Sequence, residues 1–288
     1  MATLVLVHGA SGGGWIWKKV GPLLRSAGHD VYTPTLTGCG ERVHLNHAGA
    51  GLDTHILDIV GVLTFEELSE VVLVGHSYGG NVITGVADRV PERLAHLVYL
   101  DANVPGDGQA LVDLMPPPHG DLYPGRSVER GEQWRRRGWQ LRPANAEELP
   151  AAEAPATEAD FAHLLERGAI TKADMRWMLR NMVPHPAKTY LDPARWRNPA
   201  ALALPRTFIH CTGKDGWDAF APVAERAQQQ PEEEQRHIPR LVLEELEDQD
   251  WEQSPELRAA IEEAHAQIAA GDVIDYEDYA RQRRERRG

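Results

Sequence analysis

The chain has 288 residues of which 42% are hydrophobic, enough for a sizeable core in one large or two small domains, and no run approaches the roughly 18 apolar residues of a membrane span. Thirty basic against 43 acidic residues leave a formal charge of −13, which disfavours nucleic-acid binding by the body of the protein, and the closing "ARQRRERRG" reads as a solvated basic tail. Two cysteines, Cys39 and Cys211, are too few for a disulfide framework or a zinc site and read as small apolar residues.

The first residues run straight into "ATLVLVHG" with no charged leader or cleavage site, so a cytoplasmic location is expected. "TLVLVHG", "HDVYTP", "EVVLVGHS" and "LAHLVYLDA" are short continuous apolar runs, the form that strands of a sheet buried on both faces take. Amphipathic stretches at Trp15–Ala27, Asp53–Leu68 and Gly80–Val90 alternate with them and predict covering helices, the last stopped by Pro91. The alternation predicts an α/β fold, a mostly parallel sheet with helices on both faces. From Asn103 to Lys188 the pattern changes to prolines, glycines and scattered tryptophans (Trp134, Trp139, Trp177) among charges, which reads as an inserted helical cap. "TKADMRWMLRNM" predicts an amphipathic helix inside it. The strand pattern resumes in "PRTFIHCTG", followed by a helix near Ala219–Gln229, a last strand in "RLVLEEL" and a closing helix over Ser254–Ala270. The expected organisation is a core over 1–102 and 189–270, a cap over 103–188 and a charged tail over 271–288.

Chemistry concentrates at two strand ends. "VVLVGHSYGG" puts Gly75, Ser77 and Gly79 in a G-x-S-x-G pattern between a strand and a helix. A sharp turn there forces the serine into a strained conformation that exposes its hydroxyl, and the glycines are needed because side chains would collide with the neighbouring helix and strand. "VHGASGGGWIW" follows the first strand. It lacks both the lysine-serine pair of a Walker loop and G-x-G-x-x-G spacing, so a phosphate loop is disfavoured. Its expected role is an oxyanion hole, in which the N–H groups of Ala10 and of Tyr78, the residue after the nucleophile, stabilise developing negative charge.

With "VHGASGGGWIW", "YTPTLTGCGER", "GLDTHILDIVGVL", "VVLVGHSYGG", "VADRVPERLAHLVYLDANVPGDGQ", "VPHPAKTY" and "PRTFIHCTGKD" in this order, the chain resembles the α/β-hydrolase superfamily, in the branch of plant methylesterases, hydroxynitrile lyases and small bacterial ester hydrolases. The resemblance implies an α/β-hydrolase fold that starts at what larger members count as their third strand, and a catalytic triad in the order Ser, Asp, His. In plant lyases a threonine follows the first-loop histidine, whereas esterases carry glycine there. This chain has Gly9, and its acidic last loop supplies no lysine of the kind lyase chemistry uses, so ester hydrolysis is favoured over cyanohydrin cleavage. The triad acid is expected in the loop after "RTFIHC", as Asp215, with Asp218 as the alternative.

The base is the difficulty. In the family it follows the last strand as glycine-histidine-aspartate, and here Asp248-Gln249-Asp250 stands in that place. Glutamine hydrogen-bonds to a hydroxyl but cannot take its proton near neutral pH. His237 precedes the last strand and is expected about 20 Å away at the opposite edge, and His265 lies about 16 Å along the closing helix. His8 and His76 read as loop-orienting residues. Cap histidines such as His119 and His185 could overhang Ser77, but either is disfavoured as a substitute base, since the family carries "VPHPAKTY" beside its ordinary triad. The stretch from "LEELEDQDWEQ" to the basic end also resembles the tails of small bacterial antitoxins, on its acidic helix, Gly-Asp turn and basic terminus, and a replaced terminus would explain the vacancy.

The expectation is therefore a weak serine ester hydrolase with no metal and no organic cofactor. Its ligand would be a small-molecule ester or an apolar or aromatic compound, since Met115, Met175, Met178 and the cap tryptophans offer an apolar lining. No membrane partner is expected, and an oligomer stays open. The rivals are a non-catalytic descendant that binds a small molecule or protein in the same pocket, and an elimination, lyase or cyclisation enzyme that uses the oxyanion hole without the triad.

Overall fold

Four of the apolar runs pair as parallel strands: β1 (Thr3–Val7), β2 (Asp30–Tyr32), β3 (Val71–Ser77) and β4 (Leu94–Ala102), in the spatial order β2-β1-β3-β4. The structure is a computed structural model and describes residues 1–114, 158, 162, 165–166, 170–211 and 220–228. They belong to two compact units, Met1–Pro205 and Arg206–Gly288. In the first, β1 pairs with β3 from Thr3↔Val71 to Val7↔Gly75, so the chain leaves both strands side by side at one edge of the sheet. The second carries β5 (Arg206–Ile209) and a helix over Ala221–Gln228.

Side chains alternate across a strand, and the two faces of this sheet are covered differently. Leu4, Leu6, Val72, Val74, Val98 and Leu100 share one face, where Ile16, Trp17, Leu24 and Val31 pack on them. Val5, Val7, Val71, Leu73, Leu97 and Tyr99 are buried on the other, against which helix α3 (Gly79–Arg89) packs, with α2 (Leu52–Phe65) behind it. Among the described residues no helix is long and apolar enough to cross a membrane.

Element boundaries differ from expectation where local chemistry intervenes. The helix expected over Trp15–Ala27 divides into a 3-10 turn (Gly14–Lys18) and α1 (Val20–Ser26). Pro22 is the reason, since a proline inside one continuous helix would clash with the carbonyl of Lys18, four residues back, and must sit in a first turn. Helix α2 stops at Phe65, three residues early. Leu68 N–H bonds back to Leu63 O and Glu67 N–H to Thr64 O, with Glu67 at φ +54°: a Schellman closure in which glutamate occupies the left-handed position glycine usually takes. Helix α3 ends before Pro91, as expected.

Of the expected cap, residues 103–114, 158, 162, 165–166 and 170–188 are described. They include a single helical turn α4 (Leu111–Leu114) and helix α5 (Lys172–Asn181), the latter opened by a capping box between Thr171 and Asp174. Trp177 on α5 meets Trp15 edge to face with ring centroids 5.0 Å apart. Lys19 reaches Asp174 at 2.9 Å. Helix α6 (Pro199–Leu202) closes this unit, and the Ala221–Gln228 helix is α7. Trp134, Trp139, Met115, His119, Asp215, Asp218, His237, Gln249, the "RLVLEEL" strand, the Ser254–Ala270 helix and the tail over 271–288 lie outside the described residues.

Candidate active site

Ser77 ends β3 with φ +53°, a conformation in which a non-glycine residue is strained. The turn is possible because its flanks lack side chains. A Cβ on Gly75 would stand 2.6 Å from the Gly79 carbonyl oxygen, and one on Gly79 would stand 2.7 Å from the Val7 carbonyl oxygen of β1. Strand, turn and helix N-terminus therefore approach at backbone distance, the expected elbow. The loop after β1 lies alongside: a Cβ on Gly9 would fall 2.9 Å from Ser77 Cβ and 3.1 Å from His76 Nδ1. Ala10 and Tyr78, the two residues expected to donate amides, thus follow the ends of adjacent parallel strands, and among the described residues neither amide N–H has a backbone acceptor.

Behind this edge lies a cluster of buried histidines. The side chains of His8, His55 and His185 are each 0% exposed, and their hydrogen bonds define their tautomers. His8 donates Nδ1–H to the Gly9 carbonyl at 2.8 Å and accepts the Leu36 N–H on Nε2 at 3.1 Å. His55 donates Nε2–H to the Thr37 carbonyl at 2.8 Å, so its Nδ1 accepts the Tyr78 hydroxyl at 2.9 Å. His185 accepts the Ser11 N–H on Nδ1 at 3.2 Å, with Cys39 Sγ at 3.4 Å from the same nitrogen. Burial lowers His8 and His55 to about 4 and takes His185 well below its ordinary range. All three rings are neutral at pH 7, and each already uses its lone pair as an acceptor.

His185, one of the cap histidines that could overhang Ser77, is enclosed: its Nδ1 accepts the Ser11 N–H, and Val183 N–H also bonds Ser11 O at 3.2 Å. His8 does orient a loop, as expected. His76 is half-buried with its ring edge-on to Trp17 at 6.2 Å. Trp177, one of the residues read as an apolar lining, meets Trp15 edge to face, and Met175 is 5% exposed. Cys39 is fully buried, in keeping with its apolar reading. Among the described residues no side chain hydrogen-bonds Ser77 Oγ, and no group of three metal-ligating side chains forms.

Sequence reasoning assigned no role to His55. A signal was present, because in "GLDTHILDIVGVL" it shares a helical stripe with Leu52, Ile56 and Ile59, and a histidine on an apolar face must find partners inside. Asp58, one turn on, bonds Thr37 N–H at 2.6 Å and Thr37 Oγ1 at 2.8 Å, so α2 holds the Thr35–Thr37 loop from two positions.

A parallel α/β sheet with a strained serine between strand and helix, and a glycine-rich loop beside it, defines a class of protein. A profile of the alpha/beta hydrolase family matches residues 4–278, and the chain belongs to that family. It is 55% identical to the carbendazim hydrolyzing esterase of a Nocardioides strain over 116 residues, 40% of this chain and 48% of that protein. Over 102 residues it is 40% identical to an alpha-hydroxynitrile lyase of Arabidopsis thaliana, covering 35% of this chain and 40% of the lyase. The chain therefore aligns with half or less of the length of these relatives. An extracellular alpha/beta-hydrolase from a Paenibacillus species has the same fold, with a TM-score of 0.65 at 21% identity over 91% of this chain and 97% of that one.

Proposed function

We propose that the protein is a carboxylic ester hydrolase with Ser77 as nucleophile, Ala10 and Tyr78 amides as oxyanion donors, and Asp215 as the triad acid. The observation that carries the reading is the left-handed Ser77 at the end of β3, with glycine backbone packed on both sides. Attack of Ser77 Oγ on the ester carbonyl forms a tetrahedral oxyanion. Its collapse expels the alcohol, and water then releases the acid from the acyl-enzyme. The esterase among the relatives supports this class. Against a lyase stands Gly9, because a branched side chain there would crowd Ser77 Cβ.

Turnover is expected to be weak. Gln249 is proposed to stand at the base position, and the buried histidines have no lone pair free to accept the serine proton. Loss of the triad histidine in a serine hydrolase costs about 10⁶ in turnover, while the oxyanion hole retains roughly 10³ to 10⁴ over water. The same observation favours a second reading, a ligand-binding descendant that keeps the pocket without turnover. Hydrolysis of p-nitrophenyl acetate by the wild type, Ser77→Ala and Gln249→His separates them. Weak Ser77-dependent turnover that rises at least about tenfold in Gln249→His supports the hydrolase. Turnover equal in wild type and Ser77→Ala excludes Ser77 as nucleophile.

A further inference from the structure

Tyr78 and Ser11 occupy corresponding places: each neighbours a residue or carries an amide that the proposed oxyanion hole depends on, and each is held from behind by a buried neutral histidine. Tyr78 follows Ser77 directly and leads into α3 with φ −54° and ψ −30°. Its side chain is 1% exposed, its hydroxyl donates to His55 Nδ1, and His55 passes the constraint to the Thr37 carbonyl. Ser11 follows Ala10 and sits at φ +60°. Its amide donates to His185 Nδ1. The His185 ring is also edge-on to Tyr78, with centroids 4.8 Å apart, and 5.7 Å from His55. The two strand-end loops thus share one rigid backing.

We propose that His55 and His185 are positioning residues: through the Tyr78 hydroxyl and the Ser11 amide they hold the two oxyanion-donating amides, of Tyr78 and Ala10, at a fixed separation. The proposal rests on Ser77 being the nucleophile. Two features make a role in packing alone insufficient. An apolar ring would fill the same space, yet the structure buries three imidazoles with defined tautomers, each bonded to the backbone or side chain of a strand-end loop. Of the three left-handed non-glycine residues at this edge, Ser11, Ser77 and Asp101, the first two adjoin Ala10 and Tyr78, whose amides are so held. Strained backbone persists only where its surroundings over-determine it, and these bonds are the surroundings.

Preorganised donors matter most where charge develops, so the test reads an oxyanion mimic at equilibrium, which does not depend on a general base. Phenylboronic acid adds the Ser77 hydroxyl to boron, releasing one proton and leaving a tetrahedral boronate anion; ¹¹B NMR reports the adduct and a titration its affinity. Ser77→Ala should abolish it. Tyr78→Phe, which removes one oxygen and keeps the ring, and His55→Leu should each weaken it about fivefold to tenfold, the worth of one hydrogen bond aimed at the donor. His185→Leu should do the same. His55→Gln, whose amide still accepts from Tyr78 and donates to Thr37, should stay within about twofold of wild type. Melting temperatures of the variants identify any that do not fold, and Tyr78→Phe serves as the conservative arm. A wild-type boronate unchanged in Tyr78→Phe and His55→Leu overturns the positioning role alone. No Ser77-dependent boronate on the wild type overturns the nucleophile reading, and the inference with it.

Discussion

Strand β3 passes between two kinds of interior. Along its middle, Val72 and Val74 pack into an apolar cluster with Leu6, Trp17 and Val31, and Leu73 is buried on the opposite face. Past its end, Tyr78 enters a polar interior of His8, His55, His185 and Thr37. The apolar part asks only for volume and shape, and related side chains satisfy it. The polar part asks for particular donors and acceptors, since an unmade bond there leaves a buried group unsatisfied. Volume and shape thus secure the middle of the strand, while matched donors and acceptors fix the loops at its end.

The largest expected effect tests the apolar side. Leu73→Ala should cost about 2–5 kcal/mol in chemical denaturation, and Leu73→Met less than about 1.5 kcal/mol, because only the first leaves a cavity. Equal costs would contradict a cavity as the cause. Acid tests the polar side. His8 and His55 are lowered from 6.5 to about 4 on folding, so below pH 6.5 the unfolded chain binds protons that the folded chain does not. Stability contributed by these groups is complete above about pH 6.5 and is lost as pH falls toward 4. Between pH 7 and pH 5 each should account for about 2 kcal/mol. The checkable difference is that His55→Gln removes its share of the pH dependence of unfolding, and a pH profile identical to wild type would contradict the assigned burial. Next comes the elbow: Gly79→Ala should destabilise by about 1–3 kcal/mol, because the group it meets is the Val7 carbonyl of β1 and not a flexible side chain. The smallest effect belongs to the surface. Lys19→Ala removes a 2.9 Å ion pair to Asp174 in which the lysine side chain is 59% exposed, and it should change stability by less than about 1 kcal/mol.

How far the sequence could be read follows the same division. The four strands of the first unit were legible as continuous apolar runs, and the elbow as G-x-S-x-G in a strand-to-helix setting, because both patterns follow from backbone geometry that few residues satisfy. The split of the Trp15–Ala27 helix at Lys19, three residues ahead of Pro22, was legible in principle, since proline's clash is local. The early stop of α2 was not, because Glu67 gives no sign that it will take a left-handed conformation. The histidine cluster was the least legible. His8, His55 and His185 are separated by up to 177 positions in the chain, and only the assembled sheet edge reveals that one holds Leu36, one Tyr78 and one Ser11. For that reason the sequence left His185 as one of the cap histidines that could overhang Ser77, and only the structure shows it buried with Nδ1 accepting the Ser11 N–H.

Ser77, the strained residue that ends β3, is proposed as a nucleophile whose base is weak or missing. Reaction with a fluorophosphonate, followed by intact-mass and peptide analysis, tests it most directly. One slowly formed adduct is expected on Ser77, absent from Ser77→Ala and formed faster in Gln249→His. An adduct of equal yield in Ser77→Ala, or wild-type labelling as fast as that of a hydrolase with a complete triad, would contradict it.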